Sequence, residues 1–197
     1  ELNFSISSSS NSSSKIMAPS TWEVITFSTI LTASSFEWDV ENNEIVNPFS
    51  FATSAIPFKT HDYTNSEAIS GLEVAAYLNE DENRCFKTLV TIGKTNTHYV
   101  FLVPVNKELD LKKAAKVVNE KNIEMVKSKD LLALTGYIHG GCSPIGMKKQ
   151  FKTIIHETAK NYETILFSGG KIGIQIETNV TNLSKIIQYR LEDIVQH

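Results

Sequence analysis

The segment Thr135 to Lys149, TGYIHGGCSPIGMKK, combines several glycines, a Ser-Pro step and a Lys-Lys pair between two apolar runs. Glycine lets backbone approach a ligand closely and permits positive φ, while proline fixes the chain. Such a loop can offer N–H groups to an anion or a carbonyl oxygen with cations beside it. It can equally be a tight connection between strands. Cys142 lies in this segment with His139 three residues away and His156 further along, the residue types of an activated thiolate, but with no third residue to orient them. Small or apolar residues would fit that place as well, and the catalytic thiol is the weaker reading. Ser168-Gly169-Gly170-Lys171 is a second glycine-containing loop, either a ligand-facing turn or an ordinary hairpin turn. Lys87 stands in the apolar stretch RCFKTLVTI, where alternation puts it on one side with Cys85, Leu89 and Thr91. Facing inward, its ammonium needs a phosphate, a carboxylate or carbonyl oxygens. Facing outward, it is a protective edge-strand lysine. Tyr63 can stack on a base or close the core. His61, His98 and His156 are isolated, and the chain holds no Walker loop, GxSxG elbow or HExxH.

These residues need elements to hold them. A short strand fits Ile56 to Tyr63. A helix fits Ser70 to Leu78, with Leu72, Ala75 and Ala76 expected inward. Arg84 to Ile92 and Tyr99 to Val105 read as strands of a hairpin around the polar turn Gly93 to Thr97. Asp110 can cap a helix to Val118 with Leu111, Ala114, Ala115 and Val118 in line, and a shorter helix begins at Ser128 or Asp130 and stops at Gly136. Beyond the glycine-rich segment come strands near Lys152 to His156, Thr164 to Phe167 and Ile172 to Glu177. A last helix is expected from a cap near Thr181, with Leu183, Ile186, Ile187 and Leu191 inward. Strands and helices intermingle without strict βαβ alternation, so the expected class is α/β (α+β), with a curved mixed sheet rather than a Rossmann fold.

The chain of 197 residues and 22.0 kDa suits one domain plus a tail. The longest apolar run, around Tyr99 to Val105, suits a strand and is too short to cross a bilayer. Two cysteines without CxxC spacing make neither a disulfide framework nor a zinc site and favour a reducing compartment. Residues 1–46 form a serine-rich leader, a disordered or targeting segment outside the domain expected over 47–197. Charge is uneven: residues 1–60 carry a net −4, whereas residues 107–152 hold ten lysines against five acids. That basic stretch is compatible with a phosphate backbone, although lysines on helix faces are usually just solvated.

Four blocks together, FKTL at Phe86 to Leu89, LDLKKAAK at Leu109 to Lys116, TGYxxGGxSPxGxKK at Thr135 to Lys149 and SGGKxG at Ser168 to Gly173, resemble the YbaK family of aminoacyl-tRNA deacylases, relatives of the editing insertion of bacterial prolyl-tRNA synthetases. The resemblance runs from about Ile56 to the C-terminus. It implies a pseudo-barrel or curved sheet flanked by helices, and hydrolysis of the ester linking a mischarged amino acid to tRNA. The expected substrates are Cys-tRNA(Pro) and Cys-tRNA(Cys), with prolyl-tRNA synthetase as a further partner and no membrane. By the same resemblance Lys87 is the catalytic lysine. Tyr63, Thr88, Gly140, Gly141, Ser143, Pro144, Gly146, Ser168, Gly169 and Gly170 face the aminoacyl adenosine, while Lys112, Lys113, Lys116, Lys148 and Lys149 meet tRNA. No metal, cofactor or enzyme nucleophile is implied, since the substrate's own thiol attacks its ester and leaves as a thiolactone. A cytoplasmic location is implied, with organellar import left open by the leader. The chain departs from the family at Gln175, where relatives commonly carry an acid, and at Ile172, where they often carry arginine.

Overall fold

The computed structural model describes residues 38–39, 44–45 and 56–196. The leader expected over 1–46 and the start of the domain at 47 lie outside the described residues, apart from a two-residue pairing of β1 (Trp38–Asp39) with β2 (Glu44–Ile45). The next strand is β3 (Lys59–Asp62), preceded by Ile56, which is already buried in the core.

Helix α1 (Gly71–Tyr77) starts where the sequence provides a capping box. The Ser70 hydroxyl accepts from the Glu73 N–H, and the Glu73 carboxylate accepts from the Ser70 N–H. Its inward face differs from the expected one: Val74 and Ala75 are buried, whereas Leu72 is exposed. The cause is Gly71, where an added Cβ would lie 2.5 Å from Val105 Cγ1. The helix packs on the chain around Val105 along the stripe 71, 74, 75 and 78.

The hairpin of β4 (Phe86–Gly93) and β5 (His98–Pro104) is the centre of the domain. Val100, Phe101, Leu102 and Val103 are wholly buried because helices or loops cover both faces of β5. On one face lies α2 (Leu111–Val118), capped by the Asp110 carboxylate, with Ala114, Ala115 and Val118 against Tyr99, Phe101 and Ile154. On the other face Phe86, Val90, Val100 and Leu102 meet Leu131, Tyr137, Cys142 and Ile145. The remaining elements are β6 (Ile123–Met125), α3 (Ser128–Thr135), β7 (Lys152–His156), a 3-10 turn Glu157–Asn161, β8 (Ile165–Ser168), β9 (Ile174–Thr178), α4 (Val180–Leu183) and β10 (Tyr189–Glu192).

The strands form a five-stranded sheet, β10-β7-β5-β4-β6, and a three-stranded antiparallel sheet, β3-β9-β8. The first is mixed, since β7 runs parallel to both β5 and β10. A single bridge, Cys85 with Leu166, bends one sheet toward the other. The result is a curved mixed α/β arrangement, and its described strands do not close into a barrel.

The last expected helix is corrected. Only Val180–Leu183 is helical, capped by Asn179, and Tyr189–Glu192 instead forms a strand paired with Thr153 to His156. The exposed edge of β7 offers a row of backbone partners that a longer helix would leave unpaired.

A candidate aminoacyl-ester cleft

Strand β6 pairs with β4 only at Thr91–Gly93, leaving the edge from Phe86 to Leu89 open. A cleft of about 270 Å³ runs along that open edge. It therefore reaches side chains from both faces of β4: Lys87 and Leu89 from one, Phe86, Thr88 and Val90 from the other. The opposite wall is α1 with Val74, Ala75 and Leu78, and the glycine-rich segment contributes His139, Gly140 and Cys142. Tyr63, Cys85, Ser168 and Gln175 also line it.

The structure thus brings five expected residues, Tyr63, Lys87, Thr88, Gly140 and Ser168, to one cavity from four separate segments. Lys87 is partly buried, and its Nζ donates to Glu108 Oε1 at 2.7 Å, so the two readings open for it resolve toward a carboxylate partner. Thr88 Oγ1 is buried with no hydrogen-bond partner, a polar atom left for something the cleft would hold. Val90 C=O accepts from Val126 N–H, so by alternation the N–H and C=O of Thr88 face the same open edge.

The other expected residues support the wall from behind. Gly141, Ser143 and Pro144 are buried, and Ser143 Oγ accepts from the Ile145 N–H within the loop itself. Tyr137, buried beneath, donates its hydroxyl to Ile145 C=O at 2.6 Å. Gly170 has φ +85°, and a Cβ there would lie 2.9 Å from the Tyr137 ring. Gly140 and Gly141 pack on Ile172 and Lys171, so the two glycine loops touch. Gly169 N–H donates to Ile174 C=O, and Gly146 takes a positive φ of 71° to turn the segment outward.

The thiols are not poised for attack. Burial pushes Cys142 up to about 12, against a weaker opposing hydrogen bond from Thr135, and burial likewise pushes Cys85 up to about 12. His156 lines a separate small cleft behind β5, where burial lowers its pKa and its Nδ1 accepts from Ile194 N–H.

The expected tRNA lysines fall in two groups. Lys148 and Lys149 are exposed at the end of the glycine-rich segment, whereas Lys112, Lys113 and Lys116 ride on α2 across the sheet from it. Of these Lys113 is held by Asp193 and the Val195 carbonyl.

Sequence reading missed two features. One is Glu108, whose place in a loop carries no periodic signal. The other is a cluster of His61, Glu80 and Glu177, whose ligand atoms lie within 4.8 Å of one another. The Arg84 guanidinium donates to both carboxylates, at 2.6 Å and 3.2 Å, and His61 Nε2 lies 2.8 Å from Glu177. With an arginine already neutralising these acids, the cluster reads as an ion-pair knot between the three-stranded sheet and the segment that leads into β4.

Known proteins share this architecture. The family model described as "Aminoacyl-tRNA editing domain" matches residues 67–186. A protein of Enterococcus faecalis, provisionally named a Cys-tRNA(Pro)/Cys-tRNA(Cys) deacylase, EbsC, is 50% identical over 123 residues, covering 62% of this chain and 75% of its own. A solved structure described provisionally as a trans-editing enzyme for prolyl tRNA synthetase superposes with a TM-score of 0.65 at 21% identity, over 71% of this chain and 87% of that one. Another, described only as a hypothetical protein, gives 0.63 at 17% identity, over 71% and 92%.

Proposed function

The chain belongs to the aminoacyl-tRNA editing domain family, and from that premise we propose that it hydrolyses mischarged tRNA in trans, removing cysteine from Cys-tRNA(Pro) and Cys-tRNA(Cys). The supporting observation is the convergence of Tyr63, Lys87, Thr88, Gly140 and Ser168 on one cleft beside two thiols too buried to ionise. A site of this kind orients and stabilises charge rather than attacking.

The chemistry follows from that division of labour. The substrate's Sγ attacks its own ester carbonyl, the C–O bond to the ribose breaks, and the thiol proton ends on the departing ribose oxygen. The ring closes through Sγ, Cβ, Cα and the carbonyl carbon, a four-membered thiolactone that water then opens. Closing so strained a ring needs the thiol held against the carbonyl, which a snug apolar wall of Val74, Ala75 and Leu78 supplies. Lys87, with the backbone of Gly140 alongside, stabilises the developing oxyanion. Thr88 Oγ1 and Ser168 Oγ hold the ribose end. Lys148 and Lys149 meet the phosphate backbone without reading sequence. The same reading places the protein wherever tRNA is charged, beside prolyl-tRNA synthetase.

Incubating the protein with Cys-tRNA(Pro), Ala-tRNA(Pro) and Pro-tRNA(Pro) tests this. Selective loss of cysteine is expected. Selective loss of alanine would move the specificity to another member of the class. Unchanged half-lives for all three would overturn the enzymatic reading.

A further inference from the structure

An aminoacyl ester brings a second charge that the cleft wall does not answer. Its free α-amino group titrates near 8, so at neutral pH much of it is an ammonium one bond from the carbon that bears the scissile carbonyl. Among the described residues lining the cleft there is no Asp or Glu; Gln175 offers only an amide, and Lys87 repels a cation. A buried or half-buried ammonium without a partner is costly.

Of the carboxylates bonded to residues of the wall, Glu73 Oε2 is taken up by the Ile69 and Ser70 N–H groups at the start of α1, and the one bonded to Lys87 is Glu108. It lies outside the wall proper, yet its Oε1 is 2.7 Å from Lys87 Nζ, which is part of the wall. Its side chain is 73% exposed, and no hydrogen bond is made by its second oxygen, Oε2, among the described residues. The backbone around it is fixed. Glu108 C=O accepts from Gln196 N–H at 3.0 Å, Leu109 bridges Val195, and Asp110 N–H donates to Ile194 C=O at 2.8 Å. Glu108 is therefore presented on a pinned segment.

We propose that Glu108 is the receptor for the substrate's α-ammonium, one carboxylate oxygen holding Lys87 and the other taking the ammonium. This rests on the deacylase reading above and sharpens it. Sharing one carboxylate places the ester carbonyl, adjacent to the ammonium-bearing carbon, beside the Lys87 amine that stabilises its oxyanion. It also makes a free α-amino group a requirement of the site, so that N-acylated aminoacyl-tRNAs are refused.

The test uses the full chain and two stable probes, the 3′-amide analogue of cysteinyl-adenosine and its counterpart lacking the α-amino group. Titration calorimetry should show the amine-bearing probe binding about tenfold more tightly, the size of one charge-assisted hydrogen bond. Glu108→Gln should bring that ratio close to one while the weaker probe binds as before, and Glu108→Asp should restore part of it. An unaltered ratio in Glu108→Gln, or no preference in the unmodified chain, overturns the proposal; if that chain still deacylates Cys-tRNA(Pro), the functional reading stands without it. A chain that binds neither probe and deacylates no tRNA loses both. Thermal unfolding of Glu108→Gln within about 2 °C of the parent, as an exposed pair predicts, separates recognition from folding.

Discussion

Lys87 is the residue on which activity should turn most sharply. Its partner Glu108 is largely exposed, so their ion pair is worth at most about 1 kcal/mol to the fold. Removing an oxyanion donor, in contrast, typically costs about a hundredfold or more in turnover. Lys87→Ala should therefore abolish deacylation with an unchanged melting curve, and near-normal rates would remove Lys87 from the chemistry. Cys142 should behave in the opposite way. Its thiol stays protonated at neutral pH because burial holds it near 12, so Cys142→Ser should keep most of the activity. Iodoacetamide at pH 7, followed by mass spectrometry, should label it far more slowly than a free cysteine. That these residues belong together was legible beforehand only through the resemblance of the four blocks to a known family; taken alone, Lys87 and the two glycine loops left more than one reading open. Glu108 was not legible, since an acid in a polar loop looks like any other until its partner across 21 residues is known.

At the scale of elements, hydrophobic spacing located nearly every strand and helix from β3 to β9. It failed where contact rather than period decided the outcome. The face of α1 is set by Gly71 meeting Val105, and β10 forms because β7 has an edge to fill. The bracing of the cleft also belongs to this scale. Tyr137 ties α3's exit to the glycine-rich segment through its bond to Ile145, so Tyr137→Phe should cost about 1–2 kcal/mol in urea denaturation and lower kcat/KM as the segment loosens. Gly170→Ala combines a positive φ with a clash on the same ring. It should cost about 1–3 kcal/mol, and a stability equal to the parent's would show that the ring can yield.

At the scale of the domain, the knot of Arg84, Glu80, Glu177 and His61 fastens the segment before β4 to the three-stranded sheet. Burial alone would raise the pKa of Glu177. The hydrogen bonds from Thr164 and His61, with the charges of Arg84 and Lys59, overcome that and hold it at about 2. A carboxyl lowered from 4.5 contributes stability that is complete above pH 4.5 and is lost as pH falls toward 2. Denaturation midpoints should drop across that window, and Glu177→Gln should flatten the drop while lowering stability at pH 7. The lysines divide on the same scale. Lys149→Ala should raise KM for every tRNA alike and reduce its salt dependence, whereas Lys113→Ala should act on stability through Asp193.

The contact of Gly140 and Gly141 with Lys171 and Ile172 carries a consequence for how this protein can diverge. Two loops separated by about thirty residues of sequence form a single unit of inheritance. A side chain gained in one requires room to be made in the other, so changes at 140–141 and at 170–172 should be non-additive in a double-mutant cycle. A new substrate preference would then arise by paired replacements, each harmful alone.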